Sequence, residues 1–511
     1  MSDALSPVGE EAPLAAESVA APVNRSSFAG DMMRLVSGTM FAQVVSILAT
    51  PIITRLFGPD AYGAAVAFGS IVSVIGVFLC LRYEQAIVLP ADDGQAANVL
   101  GLSLVSAAVV TGATAVVMWL WSGPLLALVH MEELAPHMWM IAPALAVNAC
   151  LYVLTAWNGR KRQFSRVASG HMVNSFTTTG ARIGSGLAGF NGSGAMIATN
   201  IFGSLVTVIF LAFNTLRSYA TLFRSAIRPA GMVAMMRQYR DQPLYSTWAS
   251  LLNSISWQLP VFMLAAFFTP AVAGQYALGN RIVSMPMNLV GDAMSKVFYQ
   301  RAAETSVRGG LSTLAEATYR RLVTFGLPPM LFLAVAGHDL FILVFGAEWA
   351  DAGIYIQILS IWAFFWFITS PLSTLTLVLG KQRFFLVWNI VNFATRLVSL
   401  WVGGQLGSPF IALALFGASG VLVYGFLSLY LLRAAGVPLN RSLGILGRGA
   451  LVFMPIAAIM LILKWLGAPL WLEIGLPALL VGSYLLYSFR AEPQVQQLLR
   501  RLQRHPQRTP A

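Results

Sequence analysis

The sequence predicts an all-α, polytopic membrane protein of about fourteen transmembrane helices, in two parallel six-helix lobes plus two extra C-terminal helices. Three observations predict this fold class: an apolar composition, recurring hydrophobic stretches of about 20 residues, and lysine and arginine residues confined to alternate loops. Of the 511 residues, 57% are hydrophobic and only 10% are charged, whereas soluble domains carry about 25% charged residues. Water is therefore not the solvent for most of this chain.

Fourteen apolar stretches are long enough to cross a hydrocarbon core of ~30 Å. They lie at residues 35–57, 61–81, 96–121, 138–157, 171–189, 195–216, 244–268, 271–298, 320–345, 352–380, 385–404, 408–432, 448–466 and 469–489.

The spans and the segments between them predict six regions. Residues 1–30 are rich in Ala, Ser, Pro and Glu, with no basic stretch before an apolar run, which predicts a disordered tail and no cleaved signal peptide. The regions are a cytoplasmic tail (1–30), an N-lobe of helices 1–6 (31–216), a basic cytoplasmic linker (217–243), a C-lobe of helices 7–12 (244–433), helices 13 and 14 (434–490) and a basic cytoplasmic tail (491–511).

The net charge is +12, but the Lys and Arg residues lie mainly on one predicted side of the membrane. Nucleic acid is therefore not the expected partner. With the N-terminus inside, the basic loops follow even-numbered spans, and the opposite loops hold almost no Lys or Arg. This positive-inside pattern places both termini in the cytoplasm. Residues 494–504 contain both leucines and arginines. This composition fits either a helix that lies on anionic membrane lipids or a solvated basic tail.

An internal repeat relates the two lobes. Residues 57–63 and 71–73 match residues 268–274 and 282–284 with six identities at an offset of 211 residues, and Arg182, Ser185 and Gly189 match Arg396, Ser399 and Gly403 at an offset of 214. Six helices separate the copies, so the copies have the same orientation. Parallel repeats are a recurring transporter design with the substrate site near the midplane.

Three arginines lie near the midplane of predicted spans: Arg182, Arg281 and Arg396. A central arginine costs at least ~2.5 kcal/mol on insertion scales and is by default a functional-site hypothesis. None of the twenty acidic residues falls at that depth, so two alternatives stay open, namely hydrogen bonding to backbone carbonyls or binding of an anion. Guanidinium groups bind phosphate through paired hydrogen bonds, so a diphosphate suits these residues.

Further candidates lie on the same helices. Arg55, near an outer end, is either a fourth diphosphate ligand or an interfacial anchor. Polar and aromatic side chains that a sugar would contact also serve interhelical hydrogen bonding and packing, and both alternatives stay open for each of them. These candidate sugar contacts are Trp257, Gln258, Asn253, Asn174, Asn389 and Gln43.

The chain resembles the polysaccharide, or O-antigen, flippases of the multidrug/oligosaccharidyl-lipid/polysaccharide exporter superfamily. The resemblance rests on residues 55–63 (RLFGPDAYG), 276–282 (YALGNRI) and 340–346 (LFILVFG). It implies two six-helix lobes around a central cavity lined by cationic residues, which Arg281 fits by position. It also implies alternating access, undecaprenyl-diphosphate-linked oligosaccharide as cargo for surface polysaccharide (lipopolysaccharide O-antigen or exopolysaccharide) synthesis, and the bacterial cytoplasmic (inner) membrane as location.

The resemblance further implies coupling to an H+ or Na+ gradient, which no mid-span carboxylate supports, and partnership with other polysaccharide-assembly proteins. A multidrug or cation exporter of the same fold is the main alternative, although an acidic cavity would be expected there. A polysaccharide polymerase or ligase would need a sizeable outer loop, which this chain lacks, so no enzyme is expected. Neither the histidines nor Cys80 and Cys150 show metal-ligand spacing, so no metal or other cofactor is expected.

Overall fold

The computed structural model describes residues 38–128, 131–286 and 291–491. Within these ranges all regular secondary structure is helical, and turns and short irregular segments connect the helices. The predictions for the tail at 1–30 and for the basic tail beyond Ala491 lie outside the described residues. We number the fourteen long helices that correspond to the predicted spans and refer to shorter connecting helices by their residues.

The fourteen helices have the following bounds: α1 Gly38–Leu56, α2 Pro59–Gly76, α3 Asp93–Leu128, α4 Ile141–Arg160, α5 Phe164–Leu187, α6 Ser193–Ala226, α7 Thr247–Phe267, α8 Pro270–Pro286, α9 Leu311–Phe345, α10 Ala350–Leu372, α11 Gln382–Gln405, α12 Pro409–Ala434, α13 Leu439–Trp465 and α14 Leu470–Ala491.

Each predicted span overlaps one of these helices, and the all-helical membrane fold is confirmed. Twelve helices of the described part are long and apolar enough to cross a membrane. The two others are α5, which carries Arg166, His171, Arg182 and many Ser, Thr and Gly residues, and α8, which is only 17 residues long. Two helices that carry candidate arginines therefore fall short of a membrane span, α5 because of its polar residues and α8 because of its length.

Several helices extend beyond the predicted spans. Helix α6 continues ten residues past 216, and a further helix occupies Pro229–Gln238, so the predicted linker is largely helical. Helix α9 begins at Leu311 rather than at 320, and a separate helix at Asp292–Arg308 follows α8. Apolar length marks only the part of a helix that lipid covers, whereas backbone hydrogen bonding continues into polar sequence.

Ion pairs lie at both ends of the helix bundle. At one end of the bundle, Arg160 and Lys161 contact Asp93 across the α3–α4 pair, and Arg441 lies 3.5 Å from Glu316. At the other end, Lys464 lies 2.9 Å from Asp339. We call these the arginine-rich end and the opposite end. The positive-inside prediction assigns the arginine-rich end to the cytoplasm.

The two halves of the chain meet where α2 crosses α8. Both helices begin with a proline, and four residues later each carries a glycine, Gly63 and Gly274. A Cβ atom at Gly63 would lie 1.7 Å from the carbonyl oxygen of Pro270, and one at Gly274 would lie 2.8 Å from the Cα of Gly63. These glycines are equivalent positions of the sequence repeat, and the absence of a Cβ lets the two backbones touch.

The second half contains the most buried helix. Two thirds of the apolar window of α10 is buried, because α9, α12 and α8 surround it. The two C-terminal helices, α13 and α14, pack mainly against α9. A small apolar cluster joins them, with Phe332 and Ala336 of α9 meeting Phe453, Met460, Ile474 and Val481. As predicted, α13 and α14 are an addition to the twelve preceding helices.

Candidate anion-binding site

A cavity of about 420 Å³ lies among the helices of the first half. Helices α2, α4, α5 and α6 line it, and α8 of the second half closes one side. Two arginines reach it, Arg182 from α5 and Arg281 from α8. The polar residues between them are Tyr62, Ser73, Asn148, Tyr152, Asn200 and Ser204. The structure therefore brings two of the three predicted midplane arginines into one polar cavity.

Arg182 has no protein counter-ion in the described part of the chain. Its Nε atom is buried and has no hydrogen-bond partner among the described residues. Arg281 lies near enough for the two positive charges to repel each other. A buried guanidinium N–H without a partner carries an uncompensated desolvation cost, so this cavity favours an anion that accepts hydrogen bonds.

Arg281 connects the two halves of the molecule. Its Nη2 atom donates a hydrogen bond to Ser46 Oγ of α1 at 2.6 Å, and no carboxylate whose side chain the structure describes pairs with it. The sequence interpretation missed Ser46. Gln43, Ser46 and Thr50 follow one another at spacings of three and four on an apolar span, which places them on one helix face and is a signal that was available.

Arg396 occupies a different environment. It is only 4% exposed, and its Nη2 donates a hydrogen bond to the Tyr424 hydroxyl at 2.9 Å. Its guanidinium carbon lies 5.4 to 5.9 Å from the ring centres of Trp257, Trp362, Phe416 and Tyr424. Aromatic faces attract a cation at such distances, so we call this group the aromatic cage.

The structure does not bring the three predicted midplane arginines together. Arg396 does not line the cavity that Arg182 and Arg281 share. Although Arg182 and Arg396 are equivalent in the repeat, the first has an unpartnered buried nitrogen and the second is enclosed by rings. The two halves therefore differ chemically at matched positions.

Arg55 also lies away from the cavity. Its side chain is exposed and donates a long hydrogen bond of 3.5 Å to the carbonyl of Leu343 near the end of α9. This contact fits the interfacial anchor reading rather than a fourth ligand in the cavity.

The candidate sugar contacts are scattered. Asn174 is the one nearest the cavity, since its amide lies 3.4 Å from Ser204 Oγ, which lines it. Trp257 belongs to the aromatic cage, and Asn389 is exposed and bonds to the Phe385 carbonyl of its own helix. Asn253 is exposed, while Gln258 and Gln43 are partly buried, and none of these three lines the cavity.

None of the six polar residues between the two arginines was predicted as a site residue, and four of the six form two pairs on single helices. They are Asn148 and Tyr152 on α4, and Asn200 and Ser204 on α6. Each pair is spaced i, i+4, so both members face the same way on an apolar helix. A search for polar pairs at this spacing in every span would have found them.

The fold defines the class of this protein as a multi-pass, all-helical membrane protein. The structure is similar to that of the lipid II flippase MurJ in an inward closed conformation. The match covers 89% of this chain and 97% of that chain, with a TM-score of 0.68 at 13% identity. An inward-facing multidrug resistance MATE family transporter of the MOP superfamily matches with a TM-score of 0.59 at 15% identity, covering 80% of this chain and 99% of that one. An outward-facing MATE family structure gives 0.53 at 14% identity, with coverages of 80% and 96%.

The family assignment comes from sequence. A family model described as "Polysaccharide biosynthesis protein" matches residues 52–354, more than half of the chain. The protein therefore belongs to this polysaccharide biosynthesis family, and the resemblance inferred from its motifs is confirmed. No sequence among the curated proteins matches it.

Proposed function

We propose that this protein is a secondary transporter that flips undecaprenyl-diphosphate-linked oligosaccharide from the cytoplasmic to the outer leaflet, by alternating access, for surface polysaccharide synthesis. The observation that carries the proposal is the pair Arg182 and Arg281, which face one cavity without an acidic partner among the described residues. A diphosphate supplies the missing negative charge and accepts several hydrogen bonds. Membership in the polysaccharide biosynthesis family supports a sugar-bearing cargo.

The size of the cavity suits the head of such a cargo. A volume of about 420 Å³ lies in the lower part of the ~300 to 1,000 Å³ range of small-molecule sites. We infer that the diphosphate and the adjoining sugar occupy it, and that Asn148, Asn200 and Ser204 donate or accept hydrogen bonds to sugar hydroxyls. The lipid chain remains in the bilayer, where its apolar surface belongs.

The proposed lobes follow the sequence repeat, with helices 1–6 (31–216) against helices 7–12 (244–433). Their backbones touch at Gly63 and Gly274, near the opposite end. Arg281 reaches across from the second lobe to Ser46 and the cavity of the first. We infer that relative motion of the lobes changes the position of Arg281 and so couples cargo binding to the exposure of the cavity.

A multidrug or cation exporter of the same fold is the competing function. Two arginines in the cavity would repel a cationic drug, and none of the described residues that line the cavity is acidic. The proposed location is the bacterial inner membrane with the arginine-rich end in the cytoplasm, where the positive-inside rule places it. Other polysaccharide-assembly proteins are proposed partners.

A deletion strain tests the proposal directly. We expect loss of surface polysaccharide and accumulation of lipid-linked repeat units on the cytoplasmic side, with recovery when the gene is supplied in trans. Sensitivity to cationic drugs with normal surface polysaccharide would instead favour the exporter. Normal polysaccharide and normal drug resistance would contradict both functions.

A further inference from the structure

A partly buried ion pair lies in the segment that joins α2 to α3. Arg82 Nη1 and Glu84 Oε1 are 3.5 Å apart, and their side chains are 23% and 13% exposed. The pair is incomplete, because Arg82 Nε and Glu84 Oε2 are buried and have no hydrogen-bond partner within the described ranges. Buried charged atoms without partners are costly, so this arrangement is poised to change.

The backbone of this segment is strained. Leu81 and Arg82 adopt φ angles of 49° and 64°, in the left-handed region that residues other than glycine rarely occupy. Such conformations persist only when the surroundings enforce them, and they cluster at functional sites and switch regions. The strained residues directly precede the helix Tyr83–Ala86 that carries Glu84.

The segment lies beside the cavity. Tyr152 of α4 lines the cavity and is within electrostatic range of Arg82 and Glu84, as is Cys80 of the same segment. The Tyr152 hydroxyl is 3.8 Å from the position of a Cβ at Gly76, the last residue of α2.

No other charged group in the described part of the chain acts on Glu84 besides Arg82. Helix α4 also brings Cys150 close to Cys80. The short helix Gln242–Ser246, which packs against Tyr83–Ala86, carries no charged side chain.

We propose that Glu84 is the proton-carrying group of the transport cycle, an inference that rests on the proposed flippase function. In one state the carboxylate pairs with Arg82; in the other it binds one proton, becomes neutral and releases Arg82. The site thereby gains one positive charge, and loss of the proton restores the pair. Protonation removes a contact of the strained turn, and α2 connects this turn to the lobe contact at Gly63.

The environment of Glu84 fits this role. Burial raises the pKa of the Glu84 carboxyl above its ordinary value, because desolvation outweighs the opposing influence of the neighbouring Arg82. A raised pKa brings the protonated form toward physiological pH, where a gradient can fill and empty the site. Na+ requires several oxygen ligands, and the structure places no second carboxylate beside Glu84 within the described ranges.

The first test measures the proton on the carboxyl itself. Full-length protein reconstituted in lipid is titrated while the infrared carbonyl stretch of protonated carboxyl groups is recorded. We expect a component in the wild type that persists above the ordinary glutamate range near pH ~4.3, that is lost in Glu84→Gln and that is retained in Glu316→Gln. Glu316 is a matched control, because it pairs with Arg320 and Arg441 at the arginine-rich end. An unchanged spectrum in Glu84→Gln would overturn the proposal.

The second test measures coupling with undecaprenyl diphosphate as the probe. In proteoliposomes, an imposed pH gradient should accelerate flipping of the probe by the wild type at least about tenfold, equivalent to ~1.4 kcal/mol. Glu84→Gln should bind the probe with unchanged affinity and lose the response. A full response in this variant, or a response of the wild type to a Na+ gradient only, would overturn the inference. Failure of every variant to bind the probe would contradict the proposed function instead, and the infrared titration would still decide whether Glu84 carries a proton.

Discussion

Gly63 and Gly274 touch through their backbones, and each is the repeat equivalent of the other. A Cβ at Gly63 would meet the Pro270 carbonyl oxygen at 1.7 Å, and one at Gly274 would meet the Pro59 carbonyl oxygen at 2.5 Å. The contact is reciprocal, as expected where a two-fold relationship between repeats brings the same residue to the axis from both sides. We infer that the lobes turn about this point.

Substitution of Gly63 by alanine should destabilise the protein. The new methyl group meets backbone atoms that cannot rotate away, so overpacking is expected to cost about 1 to 3 kcal/mol. Thermal unfolding of the purified protein should occur at a lower temperature. Gly112→Ala in α3 is the matched control, because nothing lies within 4 Å of its Cβ and alanine favours a helix interior by up to ~1 kcal/mol. Equal stability of the two variants would contradict the close backbone contact.

Arg281→Ala should abolish most transport without reducing the amount of protein. The cargo would lose charge-assisted hydrogen bonds worth about 1.5 to 3 kcal/mol each, a tenfold to hundredfold effect. The measurement is surface polysaccharide together with membrane abundance of the protein. Arg55→Ala is the control, since its exposed side chain lies outside the cavity and donates a long hydrogen bond to the Leu343 carbonyl. Unchanged polysaccharide at normal abundance would remove Arg281 from the site.

Arg182→Met should raise thermal stability while abolishing transport. Removal of a buried cation without a counter-ion relieves its desolvation cost, and an apolar side chain of similar length fills the space. Functional sites commonly trade stability for activity in this way. Unfolding temperature and surface polysaccharide are measured on the same variant. A stability loss with normal transport would show that Arg182 serves packing.

Arg396→Ala should have the opposite signature. Its removal leaves a void among four rings and takes away the 2.9 Å hydrogen bond to the Tyr424 hydroxyl, so stability should fall by about 2 to 5 kcal/mol. In any variant protein that remains folded, the affinity for undecaprenyl diphosphate should be unchanged, because the aromatic cage lies outside the cavity. Loss of affinity in a folded protein would place Arg396 back in the binding site.

The contrast between these arginines shows what the sequence could and could not reveal. Apolar length located the fourteen helices, and depth within the spans together with missing carboxylates identified Arg182 and Arg281. Depth alone could not separate Arg396, because its rings come from α7, α10 and α12, which meet only in the folded protein. The sequence repeat shows that Gly63 and Gly274 are equivalent positions, but it does not predict which equivalent residues are in contact.

Asn200→Cys tests whether the cavity is open to water and cargo. Asn200 lines the cavity on α6, so in a variant with Cys80 and Cys150 replaced by alanine it should react with a water-soluble maleimide. Undecaprenyl diphosphate should slow that reaction, since its phosphates are expected to occupy the space between Arg182 and Arg281.

Gly112→Cys in the same background is the control. Position 112 does not line the cavity, so the rate of any reaction there should not change when the probe is added. Protection that persists after Arg182→Met and Arg281→Ala are combined with Asn200→Cys would show that the probe binds without these charges. Loss of protection in that combination would tie the arginines to the phosphate groups, because the cysteine reports on occupancy and makes no charged contact itself.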